Sequence, residues 1–404
     1  MATAVLKTVA QNQHEIYQEE VEPLLDALAG AFAYQTLLPL LNTDGTLTRE
    51  DLQHGVLSDQ ESLIRYLLSL AEDDGYLLNT TEGWQLNPDK SIFPAQDIWR
   101  LLLAEHAELL PELVQIGRCG LNLAAVLKGN TEPGWLQNPQ GSAILTHLRD
   151  NSISLGPVNE GLRAAIAEFV HHWSNHRRLR LLHLGHEQPE LIYSLLPLLP
   201  KDGFDYVVAS PEEDVLAFIE GEFSTHPNVS TWRLSAEDKQ PEHHYDLVVS
   251  WDLSSRTVQL SRDLAWIQRQ LRPQGLALFV GRNPTRSMDL VEGIHPSWWV
   301  AERSDKTPIS RALPERCWLA ALTEADYRAV ELLSPQQVPL RNAFLLAAWP
   351  SQPPPLAPVT EEPTTESRSV LILSSDRGIK PYFGSSHAQR PCEHSNPNLL
   401  GDDR

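Results

Sequence analysis

Histidine is the side chain best suited to acid–base or metal chemistry near neutral pH, and this chain groups several of them. His171, His172 and His176 end one apolar-periodic stretch, His183 and His186 flank the end of a short apolar run, and His243 with His244 precede another. Neutral imidazoles in such a set are potential transition-metal ligands. The flat alternative is that His171 and His176 terminate a helix while His243 and His244 lie in an exposed loop, and on this reading no metal ligand is assigned. Cys119, Cys317 and Cys392 lie far apart in sequence, with neither a disulfide framework nor metal-ligand spacing, so free thiols in a reducing, cytoplasmic setting are expected. Arg177, Arg178 and Arg180 form a local basic patch that could receive an acidic carrier protein; a solvated helix end accounts for them equally well.

These side chains need elements to hold them. The 404 residues suit two or three domains, and 42% hydrophobic residues supply their cores. No segment approaches the roughly 18 to 20 uncharged apolar residues of a membrane helix, so no membrane partner is expected. The formal net charge of -21 argues against nucleic acid, because nonspecific affinity depends on Lys and Arg displacing counterions. Residues 1–94 show an apolar helix over 20–41, a helix start at Thr48-Arg49-Glu50-Asp51, a helix from Asp59 to Leu70 and the hairpin pattern YLLNTTEGWQL, which together read as a winged-helix-like unit. Its acidity favours packing, with a homodimer as one outcome. Residues 95–175 are helical and read as a lid. From 176 to 349 short apolar strands alternate with helices, the pattern of a doubly wound α/β sheet, and RNAFLLAAWP reads as a last strand closing the sheet edge. Residues 350–404 open with the Pro-, Thr- and Glu-rich SQPPPLAPVTEEPTTES, read as a linker, followed by the single strand pattern SVLILSS and a polar tail.

Several stretches in a fixed order carry a resemblance. They are LLAEHAELLPELVQIGRCGLNLAAVLKGNTEPGWLQNPQGS in the lid, YDLVVS and LAWIQRQLRPQGLALFV in the core, and MDLVEGIHPSWWV with its paired Trp298 and Trp299. From Asp97 to about Leu332 the chain resembles the C-methyltransferase domains of polyketide synthases and hybrid polyketide-peptide synthetases. The resemblance implies a class I methyltransferase, Rossmann-like fold with S-adenosylmethionine bound where the first core strand meets its helix.

Position by position, the residues depart from what the resemblance implies. A glycine-rich turn is expected after strand one so that backbone and cofactor can approach closely, and LRLLHLG runs instead into Gly185-His186-Glu187-Gln188-Pro189. A carboxylate is expected at the end of strand two for the ribose hydroxyls, where Ala209-Ser210 stand, with Glu212 and Glu213 beyond. After strand three, near the adenine, the chain has Ser235 with Glu237 and Asp238 close by. The histidine and acid that would deprotonate carbon between two carbonyls align with Ser255 and Gly281, and no histidine lies between Tyr245 and Asn283. Gly185, Glu187, Ala209, Ser235, Glu237 and Asp252 are thus the vestigial cofactor positions, with no catalytic residue among Ser255 and Gly281.

The sequence therefore points to a noncatalytic, pseudo-methyltransferase role, structural or docking, among polyketide synthase or peptide synthetase modules or their carrier protein, with no bound cofactor. The alternative is an active S-adenosylmethionine-dependent methyltransferase with an atypical cofactor site, in which Asp252, Glu187 or Glu237 make the cofactor contacts and the acceptor is an oxygen or nitrogen that needs no strong base.

Overall fold

The computed structural model describes residues 16–137, 152–173, 176–184, 189–201, 203–234, 244–255, 259–302, 307–333 and 341–350. The linker pattern, SVLILSS and the polar tail lie outside them. A π-helical turn, Tyr17–Val21, leads into α1 (Glu22–Leu37). That helix is apolar on almost every side, as a helix enclosed by others must be, and Leu25, Leu28, Ala29, Ala31, Phe32 and Ala33 are all buried. Then follow β1 (Thr46–Thr48), α2 (Arg49–Gly55), α3 (Glu61–Asp73), β2 (Leu77–Asn79) and β3 (Gly83–Leu86). The three strands pair antiparallel in the order β1-β3-β2, so the helices and hairpin of the sequence reading gain a short third strand. At the start of α2, Thr48 accepts from the Asp51 amide and Asp51 accepts from the Thr48 amide, a reciprocal cap that satisfies two orphan donors.

The helices that follow, α4 (Ala95–Glu105), α5 (Leu110–Leu127) and α6 (Pro133–Gln137), share one core with this first unit. Leu28, Phe32 and Leu67 meet Leu102, Leu113 and Leu123 there, and the same core takes in Leu290, Val291 and Ile294 from much later in the chain. The helix predicted as the last piece of the lid behaves differently: α7 (Gly156–His171) buries Val158, Leu162 and Ile166 against the large sheet. Amphipathic periodicity marks the apolar face of a helix but does not name the surface that covers it.

The sheet has seven strands in the order β11-β12-β8-β7-β4-β5-β6. Strands β4 (Leu179–Leu184), β5 (Phe204–Ser210), β6 (Val229–Arg233), β7 (Tyr245–Trp251) and β8 (Leu271–Arg282) are parallel, with α8 (Pro189–Leu195) and α9 (Glu213–Glu222) beside α7 on one face. On the other face lie α10 (Leu260–Gln270) and α12 (Glu315–Glu324). Between them in sequence, α11 (Arg286–Glu292) leaves the sheet to join the helical core, and β9 (Trp299–Glu302) pairs with β10 (Pro308–Ser310). The strand expected to close the edge, β12 (Ala343–Pro350), is instead inserted antiparallel between β8 and β11 (Tyr327–Leu332), which is the true edge. Its composition explains the place: Ala343 to Ala348 are buried without a polar break, whereas β11 exposes Arg328 and Ala329.

Candidate functional site

Because β4 connects outward to β5 on one side while β7 lies on its other side, the strand order reverses between β4 and β7, and a crevice opens at their carboxyl ends. Leu184, Ala209, Ser210, Ser250 and Asp252 stand along this rim, all buried. The Ser250 and Ser254 hydroxyls are buried and have no hydrogen-bond partner among the described residues. Leaving such groups unmade costs on the order of 1 to 3 kcal/mol each, so a rim that keeps two of them is one that a polar ligand would complete. In that limited sense the crevice fits a polar cofactor. At the position the sequence assigned to the ribose, Ala209 is packed in the apolar core, Ser210 Oγ accepts from the Glu212 amide at 3.2 Å, and exposed Glu213 pairs with Arg233 at 3.2 Å. Gly185, Glu187, Ser235, Glu237 and Asp238 lie outside the described residues.

The ends of β7 and β8 carry the strongest electrostatic feature. Asp252 follows β7 with φ of 52°, a left-handed conformation uncommon for residues other than glycine, and its amide donates to the Val280 carbonyl at 2.7 Å. Its Oδ2 receives Arg282 Nε at 2.7 Å and Nη2 at 2.5 Å. Asp252, which the sequence named as a cofactor contact, is thus bound to a guanidinium through Oδ2. Burial opposes the charge on Arg282, but Asp252, Glu292 and Asp289 more than offset it, and the guanidinium is held more firmly protonated than usual.

Gly281, aligned with the acid of a proton-abstracting dyad, turns the opposite way. A β-carbon there would meet the Phe344 ring at 2.2 Å, so the aromatic side chain of the neighbouring strand already occupies the space a larger residue would need. Strand alternation gives the reason: Leu278 and Val280 line the α7 face, so Arg282 shares that face while Gly281 belongs to the other. The residue at the end of this strand with access to the rim is therefore Arg282, one position on. Sequence alignment missed it, although the alternation in LALFVGR carried the signal. Ser255 closes a short 3-10 turn, Leu253–Ser255.

The other candidates scatter. His171 and His172 are exposed and stack edge-on at 5.0 Å; His176 is exposed; buried His183 meets the Tyr206 hydroxyl at 2.9 Å through Nδ1; and His244 contacts Arg180 at the opposite end of the sheet. His186 and His243 lie outside the described residues. The arginine patch is committed within the fold: Arg177 pairs with buried Asp246 at 2.6 Å and Arg178 with Asp205 at 2.7 Å, while Arg180 lies 3.7 Å from Asp205. Trp298 donates to Asp289 Oδ1 at 2.9 Å, and Trp299 donates to the Gly293 carbonyl at 2.9 Å and stacks on Tyr66 at 4.9 Å, so both serve packing. Burial pushes the Asp289 carboxyl up to about 6. Cys119 is a buried free thiol, and Cys392 lies outside the described residues.

No family model matches the chain. Among curated proteins it is 23% identical over 290 residues to the non-reducing polyketide synthase trt4 of Aspergillus terreus, covering 69% of this chain and 12% of that protein. It is 24% identical over 294 residues to the 5-methylorsellinic acid synthase of the same species, covering 69% of this chain and 11% of the synthase. Against the pyochelin synthetase PchF of Pseudomonas aeruginosa the identity is 29% over 182 residues, 43% of this chain and 10% of the synthetase. The chain thus spans about a tenth of the length of these relatives. Among solved structures, CurJ carbon methyltransferase superposes with a TM-score of 0.73 at 20% identity, covering 87% of this chain and 99% of that one. The citrinin polyketide synthase CMeT domain gives 0.74 at 18% identity, covering 87% and 97%. The trans-methyltransferase CalH, solved with SAH, gives 0.58 at 16% identity, covering 84% and 91%. The strand order, the antiparallel β12 and these superpositions establish the class I, Rossmann-like methyltransferase fold, in the form found in polyketide synthase carbon methyltransferase domains.

Proposed function

We propose that this chain is an S-adenosylmethionine-dependent methyltransferase of polyketide-type biosynthesis with an atypical cofactor crevice, acting on an acceptor oxygen or nitrogen that arrives already nucleophilic. The observation that carries this reading is the extent of the likeness: helical unit and sheet together match nearly the whole of a carbon methyltransferase, 99% of its length. A polar crevice at the switch point supports it, with the Ser250 and Ser254 hydroxyls as the groups in the described structure that would face the ligand. Bound S-adenosylmethionine would supply an electrophilic methyl group. The remaining contacts fall to Glu187 and Glu237, the acids nearest the first and third strand ends in sequence, since Asp252 is committed to Arg282. Proton abstraction from carbon has no agent in the described rim: a guanidinium cannot accept a proton, and Gly281 is closed by Phe344. The partners consistent with the synthase relatives are polyketide synthase modules or their carrier protein.

A second reading, a noncatalytic docking protein of the same systems, is favoured by Ala209 at the ribose position and by the loss of glycines around Gly185. Calorimetric titration with S-adenosylmethionine and S-adenosylhomocysteine separates the two without a known acceptor. Saturable binding is expected. Absence of heat up to millimolar ligand would overturn the first reading and leave the docking role.

A further inference from the structure

Arg282 satisfies only part of its own hydrogen-bonding capacity. A guanidinium carries five N–H donors in a planar fork; Nε and one Nη2 hydrogen are directed at Asp252 Oδ2, with Glu292 and Asp289 acting on the group electrostatically. Its side chain is 18% exposed, so it is largely enclosed but not sealed from solvent. Asp252 is itself 1% exposed and held in its left-handed conformation, so the fork is fixed in place rather than free to wander. With no proton-abstracting residue among the described residues of the rim, an acceptor that is already ionised, and so needs no base, suits the site. A carboxylate meets that requirement near neutral pH, and its two oxygens match a guanidinium fork.

We propose that Arg282 is the specificity-determining residue of this site and receives the carboxylate of an organic acid acceptor, with Asp252 as the positioning residue that orients the fork. This deepens the methyltransferase reading and rests on it for the identity of the crevice. In that reaction a carboxylate oxygen lone pair forms the new O–CH3 bond as the sulfur–methyl bond of the donor breaks. The sulfonium charge and the carboxylate charge are both lost, and no proton moves. Glu292 and Asp289 lie near enough to act on Arg282, so recognition depends on directed hydrogen bonds more than on net charge.

The test is calorimetric titration of the full chain with 2,4-dihydroxybenzoate and, separately, with its methyl ester, alongside a titration with S-adenosylhomocysteine. The acid is expected to bind at least tenfold more tightly than the ester. Arg282→Gln is expected to abolish that preference while leaving S-adenosylhomocysteine affinity within about twofold, and Arg282→Lys, which keeps the charge but not the fork, to retain part of it. Equal binding of acid and ester, or an undiminished preference in Arg282→Gln, overturns the proposal whatever the cofactor result. Should Arg282→Gln lose its folded circular dichroism, the Lys variant decides alone: a preference identical to the native one overturns the inference. Loss of S-adenosylhomocysteine binding in the native chain, with the acid preference intact, would overturn the methyltransferase reading but not the assignment of Arg282.

Discussion

Gly281 and Asp289 make separate predictions at the scale of single residues. Restoring an acid at the dyad position by Gly281→Glu should destabilise the fold by about 1 to 3 kcal/mol, because the Phe344 ring must be displaced, and should create no proton-abstracting activity. Chemical denaturation of the variant and of Gly281→Ala would show it, the larger side chain costing more. Asp289 bears on pH dependence. Its folded value of about 6 lies above the usual aspartate range, with burial as the main cause, so the folded state binds more protons than the unfolded one between about pH 4 and 6. Its contribution is full below the unfolded value and is lost as pH rises through 6. Stability is therefore expected to fall across that window, and Asp289→Asn to flatten the slope in thermal melts taken at several pH values.

At the scale of elements, the helical unit depends on the close crossing of α1 and α5. Gly120 is what permits it, since a β-carbon there would fall 2.5 Å from the Phe32 ring. Gly120→Ala should lower stability by about 1 to 3 kcal/mol, even though alanine is the better helix former, because overpacking at the crossing outweighs the propensity gain of about 1 kcal/mol. A lower denaturation midpoint with an unchanged m-value is the expected outcome. Helix α5 carries a related signature in its first turn, where burial pushes the Glu112 carboxyl up to about 7. The sequence made the helices legible through their periodicity and the α2 start through its capping residues. It did not reveal that α7 faces the sheet, because an amphipathic stripe is equally content against either core.

At the scale of the whole molecule, the first unit is tied to the Rossmann-like core through α11 and the β9–β10 hairpin. Arg286 pairs with Asp74 at 2.6 Å and lies 3.9 Å from Asp73; Gln60 donates to the Ile294 carbonyl at 3.3 Å; and Tyr66 stacks on Trp299. Arg286→Ala should cost about 1 to 3 kcal/mol and uncouple the two cores, so that tryptophan fluorescence and far-ultraviolet circular dichroism no longer report one coincident transition. Coincident curves in the variant would show that the apolar junction of Leu290, Val291 and Ile294 suffices by itself. Among the described residues, no helix is long and apolar enough to cross a membrane.

The order of strands and helices, the capped helix start, the absence of histidine between Tyr245 and Asn283 and the departure from a glycine-rich turn were determined by the sequence alone, because each is a matter of residue type at a local spacing. The tertiary structure decided what depends on partners distant in the chain. It placed β12 inside the sheet rather than at its edge, set Phe344 where a side chain at position 281 would stand, and turned Arg282 rather than its neighbour toward Asp252, 30 residues earlier. A shift of one position along a strand exchanges its faces, and alignment by residue type does not record which face is turned to the crevice. Only the paired strands do.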